Sequence, residues 1–483
     1  MGQVRIAALH SEIANGKTIS LALIAKAAAA KGWRVSFASE LTEHAERELL
    51  SVAELPGKTL VLIDDYGDWL GELKGITAIA GDRFAMVVTA RSSSHDFAVD
   101  ELEQALHPLH LEEQDLTALN DAELQWWVET LDTYGLWGTI AGGSKEKKTR
   151  FLADDCGRQI QGILLKLFDS PVIRDRLTEA ASAIRKEPQA EKIAITTFAL
   201  AILNQRPTVD TITDIWGVDA FTRERVQLNE GLASFIDLSR SSVRVRSTPA
   251  AEYLLNHFWK ADEVVSVLLE IAFAADRFYR ISIKYEQLFK TMMRFSSIQS
   301  ILPEKGRRDA VIYYYENLKR IDRCKRFPLF WLQYAIGALV IGDLMRASKY
   351  FETAYSLAEE RQWDTFQIDN HFARYLLVRA TTEAPFEEAM LLFRQARSLI
   401  NRQIQDERRH YPYRVASTYQ DFFDRFQSEF SDGELNEMSQ AAETVSERIE
   451  QLPSDRASNK HVRHCKQAMI YIRESIAARL RRN

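Results

Sequence analysis

Residues 4–31 read VRIAALHSEIANGKTISLALIAKAAAAK, and this stretch decides the fold of the N-terminal part. Val4 to Leu9 is an apolar run of strand length. A polar turn, His10 to Gly16, follows. Lys17 to Lys31 is then an apolar, alanine-rich segment of helical length, stopped by Gly32, a residue suited to the left-handed position after a helix. The order strand, loop, helix gives the tripeptide Gly16-Lys17-Thr18 its meaning. Positions 11–18, SEIANGKT, follow the phosphate-loop pattern G-x-x-x-x-G-K-[ST], except that Ser11 stands where the first glycine belongs. In such a loop Gly16 lets the backbone turn its amides towards a phosphate. Lys17 reaches the β- and γ-phosphates, the Thr18 hydroxyl ligates Mg2+, and the helix N-terminus adds partial positive charge. The candidate nucleotide-binding residues are therefore Ser11, Asn15, Gly16, Lys17 and Thr18.

In a second motif Thr59 to Tyr66 reads TLVLIDDY, with the first of its two acids, Asp64, 47 positions beyond Lys17. A continuous apolar run suits a parallel strand covered on both faces, and carboxylates at its carboxyl end lie where such sheets bind ligands. Asp64 is the candidate Mg2+ ligand beside Thr18, and Asp65 the acid that polarises an attacking water. A third apolar run, Phe84 to Thr89 (FAMVVT), ends in Ala90-Arg91, and Arg91 is placed to sense γ-phosphate charge. WRVSF (33–37) and HPLHL (107–111) are predicted as two further strands. His95, His107 and His110 raise the question of a metal. A His-x-x-His pair on a strand projects to opposite faces, which argues against one.

The glycine-turned loop, the apolar strand ending in two acids and the strand ending in Thr-Ala-Arg, with a helical region behind them, resemble the signal-transducing STAND class of P-loop NTPases. In particular the chain is similar to the novel STAND NTPases of bacterial anti-phage systems, over roughly residues 3 to 400. The resemblance implies ATP and Mg2+ as cofactors. It gives Lys17 and Thr18 the phosphate-loop roles, Asp64 the metal and Asp65 the catalytic acid, with Arg91 as sensor. Slow hydrolysis would reset the switch. Ser11 departs from the family pattern. So does the short stretch before the first strand, where relatives carry base-contacting residues and an upstream effector, so any effector is expected on a separate chain.

Residues 112–140 have apolar residues at helical spacing, with Leu116, Leu119, Leu124 and Trp127 recurring. GGSKEKK (142–148) is a polar break, and 151–168 is predicted as another helix. In STAND proteins a helical segment after the arginine strand forms a small lid, and this stretch occupies that place. The Trp126-Trp127 pair is expected in packing rather than as a ligand platform. Further on, IAITTFALAILNQ (193–205) is an apolar helix, Thr208 a candidate N-cap, 222–236 a further helix, and SRSSVRVRST (239–248) a hairpin. This order is that of a winged helix. Two roles compete for it: reading DNA through a recognition helix, or, as in STAND proteins, packing on the nucleotide site as a lock. The presumed recognition segment AFTRERVQLNEGL sets Arg223 and Arg225 against Glu224 and Glu230, which favours the lock over groove insertion. Arg246 or Ser247 falls near the family's sensing residue.

The C-terminal half contains a repeat. Ala347, Phe351, Ala354 and Leu357 recur 42 residues later as Ala389, Phe393, Ala396 and Leu399. In the preceding helices Ala335 and Leu339 align with Ala373 and Leu377 at an offset of 38. Small residues alternating with large ones let paired helices approach closely and stack. The pattern resembles tetratricopeptide repeats, whose concave surface takes a protein partner. Helical patterns at 262–322 and 415–450 are expected to add pairs on either side. Tyr313, Tyr314, Tyr315, Trp331 and Trp363 are expected mostly in the core. The last 30 residues hold eight Lys/Arg against two acids, expected as a solvated helix face.

Composition bounds these readings. The chain has 483 residues, 46% hydrophobic and 27% charged, with a net charge of −6, so disorder and a strongly basic nucleic-acid binder are disfavoured. Three scattered cysteines, Cys156, Cys324 and Cys465, make neither a disulfide framework nor a metal cluster and suit a reducing cytoplasm. Neither a membrane span nor a signal peptide is read. Four regions are expected: an α/β P-loop domain (1–115), a helical lid (116–187), a winged helix (188–258) and a mostly α-helical repeat region (259–483). Together they describe an ATP-dependent switch that senses a protein partner and changes conformation or forms a homo-oligomer. The rivals are a DNA-binding regulator and a scaffold that no longer uses nucleotide.

Overall fold

Five strands, β1 (Ile6–His10), β2 (Arg34–Ala38), β3 (Thr59–Ile63), β4 (Phe84–Ala90) and β5 (Leu111–Asp115), pair in parallel in the order β2-β3-β4-β1-β5. The computed structural model describes residues 6–11, 15–38, 44–73, 83–107, 109, 111–168, 171–205, 207–217, 229–238, 242–406, 411–453, 457 and 459–481. It divides into two compact units, one of residues 1–267 with 301–305, the other of 268–300 with 306–483.

All five residues of β3 are buried, as the apolar run required, because helices cover both faces of the sheet. On one face Val61 and Ile63 join Ile6, Ala8, Met86 and Val88 beneath Leu49 of α2 (Ala45–Ala53) and Leu102 and Leu106 of α3 (Ser92–Leu106). On the other, Leu60 and Leu62 pack against Leu21 of α1 (Lys17–Ala30). Parallel pairing sets His10 opposite Ala90 and Ile63 opposite Val88. The carboxyl ends of β1, β3 and β4 thus share one edge of the sheet, from which Ser11, Asp64 and Arg91 follow. In open parallel sheets that edge is where ligands are held.

Three expectations are corrected. The fifth strand is not HPLHL (107–111) but Leu111–Asp115, LEEQD. α3 runs to Leu106, and β5 is an edge strand defined by its backbone ladder to β1; four of its five side chains are exposed, so no apolar alternation marks it. Consequently the helix read into 112–140 begins only at Asp121, as α4 (Asp121–Thr133), where the Asn120 side chain and Glu123 form a reciprocal capping box. The helix read into 151–168 is interrupted: a π-turn, Phe151–Asp155, precedes a separate helix Ile160–Phe168. Between them Arg158 takes a left-handed φ of 59° and donates through Nε to the Leu119 carbonyl at 2.8 Å.

The remainder of the first unit is helical apart from one hairpin. Helix Pro188–Ile202 is buried along most of its length, and Val209–Trp216 starts at the capping box of Thr208 with Thr211. Glu230–Phe235 leads into β6 (Ile236–Leu238), which pairs antiparallel with β7 (Val243–Val245); an isolated bridge joins Thr208 to Ser242. Most of the presumed recognition segment, 220–228, lies outside the described residues. Trp127 packs on the cluster of Leu124, Val128 and Leu152, whereas Trp126 is exposed.

The second unit is built from antiparallel helix pairs. Pro328–Val340 packs on Leu344–Glu360, Phe366–Thr382 on Phe386–Asp406, and Asp432–Glu450 on Lys460–Leu480. The repeated positions Ala347, Phe351, Ala354 and Ala389, Phe393, Ala396 are all fully buried. Leu357 and Leu399 are both only half-buried, and Ala358 and Ile400, one residue on, take the core position instead. Tyr314 and Tyr315 are core residues whose hydroxyls donate to the Met292 and Met293 carbonyls at 2.9 Å, while Tyr313 is exposed. In the basic last helix Arg473 pairs with Glu443 at 3.3 Å and Arg479 donates to the Phe430 carbonyl at 3.0 Å. No helix among the described residues is long and apolar enough to cross a membrane.

Candidate functional site

The site is assembled at the carboxyl edge of the sheet. Gly16 caps α1 with a φ of 87°, a left-handed conformation that a side chain would strain. Lys17, the first residue of α1, folds back over the loop and donates its ammonium to the Ser11 carbonyl at 2.8 Å. Ser11 is fully buried, and its carbonyl also accepts from the Ser92 amide at 3.2 Å. Asn15 is buried and bridges two segments: its Nδ2 donates to the Thr117 carbonyl at 3.4 Å, and its Oδ1 accepts from the Gln161 amide at 3.1 Å.

The acids of the β3 end complete the constellation. Thr18 donates through its hydroxyl to Asp64 Oδ2 at 2.9 Å, and Thr89 donates to Asp64 Oδ1 at 2.7 Å. A threonine hydroxyl and a carboxylate side by side form an all-oxygen donor set, which suits a small hard cation of the Mg2+ kind. Asp65 adopts a left-handed φ of 64°, held by its amide donating to the Thr89 hydroxyl at 3.1 Å. The Asp65 carboxylate accepts from the Asn204 side-chain amide at 2.6 Å.

Arg91 follows β4 and donates to the carbonyl of Ile202, at the end of helix Pro188–Ile202. Glu252, on helix Thr248–Phe258, faces the same place. Burial raises its carboxyl pKa above the ordinary range, opposed by a 2.9 Å hydrogen bond from Gln161 and by the charge of Arg91. Both catalytic candidates, Asp65 and Arg91, are thus engaged by the helical region rather than directed at each other.

All eight sequence candidates meet at this edge: Ser11, Asn15, Gly16, Lys17 and Thr18 in the loop, with Asp64, Asp65 and Arg91 at the strand ends around it. The residues that sequence reasoning missed are Thr89, Gln161, Asn204 and Glu252. Thr89 was visible as the last residue of FAMVVT. The other three are single polar residues in helical segments, and nothing in their spacing marks them. Arg246 and Ser247 serve other ends: Arg246 pairs with Asp237 across the hairpin at 2.7 Å, and Ser247 caps helix Thr248–Phe258 through the Ala250 amide.

Gly162 sets how closely helix Ile160–Phe168 seats against the π-turn, because a Cβ there would overlap the Cys156 carbonyl oxygen. Gly162→Ala is expected to destabilise the first unit by about 1–3 kcal/mol and to pull Gln161 from Asn15. A thermal melt checks this, and an unchanged midpoint would count against it. Comparison with protein-family models, with curated proteins and with solved structures matches none of them to this chain, so the geometry of the site alone carries the functional reading.

Proposed function

We propose that the chain is an ATP- and Mg2+-dependent signal-transduction switch of the STAND type, with the β1–α1 loop as its P-loop. The observation that carries this reading is the 2.9 Å hydrogen bond from Thr18 to Asp64, which joins the loop to the first strand-end acid, the two groups that would hold a nucleotide-bound Mg2+. ATP supplies the polyphosphate charge and the hydrolysable bond. Lys17 neutralises phosphate charge, Thr18 and Asp64 hold the cation, Asp65 orients a water, and Arg91 senses the terminal phosphate.

The contacts of Asp65 with Asn204 and of Arg91 with Ile202 support a resting state. Two residues that hydrolysis needs are held by the first helix of the 188–258 region and the turn after it, so release requires that region to move. A ligand or partner shifts such an equilibrium only by its differential affinity for the two states. The helix pairs of the second unit, read as a tetratricopeptide-like array, are the proposed receptor for a protein trigger. Oligomerisation, as the resemblance to anti-phage STAND proteins implies, would follow release in the cytoplasm. DNA binding is the weaker reading, since Arg246 is already paired with Asp237.

Calorimetry of the full chain tests the proposal. ATP is expected to bind with Mg2+ present, and Asp64→Asn is expected to lose the Mg2+-dependent part of the affinity, about ten-fold or more. Affinity that is the same with and without Mg2+ in both forms would reject it.

A further inference from the structure

A second group of ligating side chains lies on the far side of β1 from α1's threonine. We propose that His10, His95 and Glu113 form a binding site for a divalent cation of the zinc class, distinct from the Thr18–Asp64 pair. One ligating atom from each of the three residues lies within 4.8 Å of the others, and among the described residues they are the group of this kind. His107, exposed after α3, does not join them, and His110 lies outside the described residues.

Each residue is fixed by a different rigid element. His10 ends β1, His95 sits in the first turn of α3, and Glu113 is the middle residue of β5. The β1–β5 register sets Glu113 opposite Ala8 and Asp115 opposite His10. The two imidazoles are buried and stacked face to face, with centroids 4.3 Å apart and planes 11° from parallel.

The surroundings match a metal-ligating histidine. His95 Nε2 stands 2.8 Å from Glu113 Oε2, and its Nδ1 stands 2.9 Å from the Tyr66 hydroxyl. When the phenol oxygen accepts from Nδ1–H, the lone pair of Nε2 faces the Glu113 carboxylate, and a cation would be held between the two. Such an outer hydrogen bond is the usual means of orienting a ligating imidazole. Asp115 Oδ1, 3.9 Å from His10 Nδ1, supplies a further oxygen within reach. Two imidazoles with one or two carboxylates suit Zn2+, whereas the oxygen-only set at Thr18 and Asp64 suits Mg2+. Bound there, the cation would clip the edge strand β5 to the start of the nucleotide loop and to α3.

The test uses the full chain stripped with a chelator and titrated with Zn2+ against a chromophoric competitor. One equivalent is expected to bind, equally in wild type and in Lys17→Ala, which separates this site from the nucleotide reading. Glu113→Gln, at an exposed edge-strand position where folding is checked by circular dichroism, is expected to weaken binding at least about ten-fold. His95→Ala, where it folds, is expected to remove it. A wild type that retains no zinc, or a folded Glu113→Gln variant of undiminished affinity, overturns the proposal.

Discussion

Lys17→Ala is expected to abolish ATP binding. Titrated with ATP and Mg2+, the wild-type chain should give a saturable heat, and the variant none or an affinity at least ~100-fold lower. The magnitude follows from losing charge-assisted hydrogen bonds to two phosphates, each about 1.5–3 kcal/mol, where 1.4 kcal/mol is tenfold in affinity. The loss would not reflect unfolding. Lys17 is only partly buried, begins α1, and is replaced by the strongest helix former. Its ammonium gives up a 2.8 Å bond to the Ser11 carbonyl, which also accepts from Ser92, and a longer 3.4 Å bond to the Ser11 hydroxyl. Equal affinity in the two forms, or no heat from wild type, would remove the nucleotide from the proposed switch.

The second large effect lies in the helix pairs. Phe393 is fully buried, stacked on Phe422 with centroids 4.7 Å apart and edge-on to Tyr419 at 5.0 Å. Phe393→Ala removes apolar surface and leaves a cavity between rigid rings, at a cost of about 3–5 kcal/mol. In a helical unit of this size, each kcal/mol lowers the melting midpoint by about 2–4 °C, so scanning calorimetry should show a fall of roughly 10 °C. Phe351, its counterpart 42 residues earlier, is equally buried and packs on Phe372 and Tyr375. A change below about 1 kcal/mol at Phe393 would mean that the repeat is not a core repeat.

These two sites show what can be read from one chain. The glycine-turned loop between β1 and α1 was legible because a short local pattern sits between an apolar strand and an alanine-rich helix. β3 was legible because burial on both faces leaves a run of apolar residues. β5 was not, since LEEQD is held by backbone pairing along one edge and four of its five side chains are exposed. The repeat was legible from alternating small and large residues, but the place of Leu357 and Leu399 was not. Helical spacing leaves a one-residue ambiguity, which packing settled in favour of Ala358 and Ile400. The contacts of Asp65 with Asn204 and of His10 with His95 join segments remote in sequence. Single polar residues carry no periodicity, so only the folded chain brings them together.

The polar edge of the sheet has one more consequence. A parallel sheet ends in a row of amides and carbonyls able to pair with another chain, and an apolar strand there would invite aggregation. β5 presents Glu112, Glu113 and Asp115 along that border, all exposed. A second strand bringing like charges alongside would meet repulsion at every turn of the ladder. The acids that made β5 hard to recognise therefore keep the sheet finite on that side, and they let the α/β core stand at high concentration without growing into a fibre.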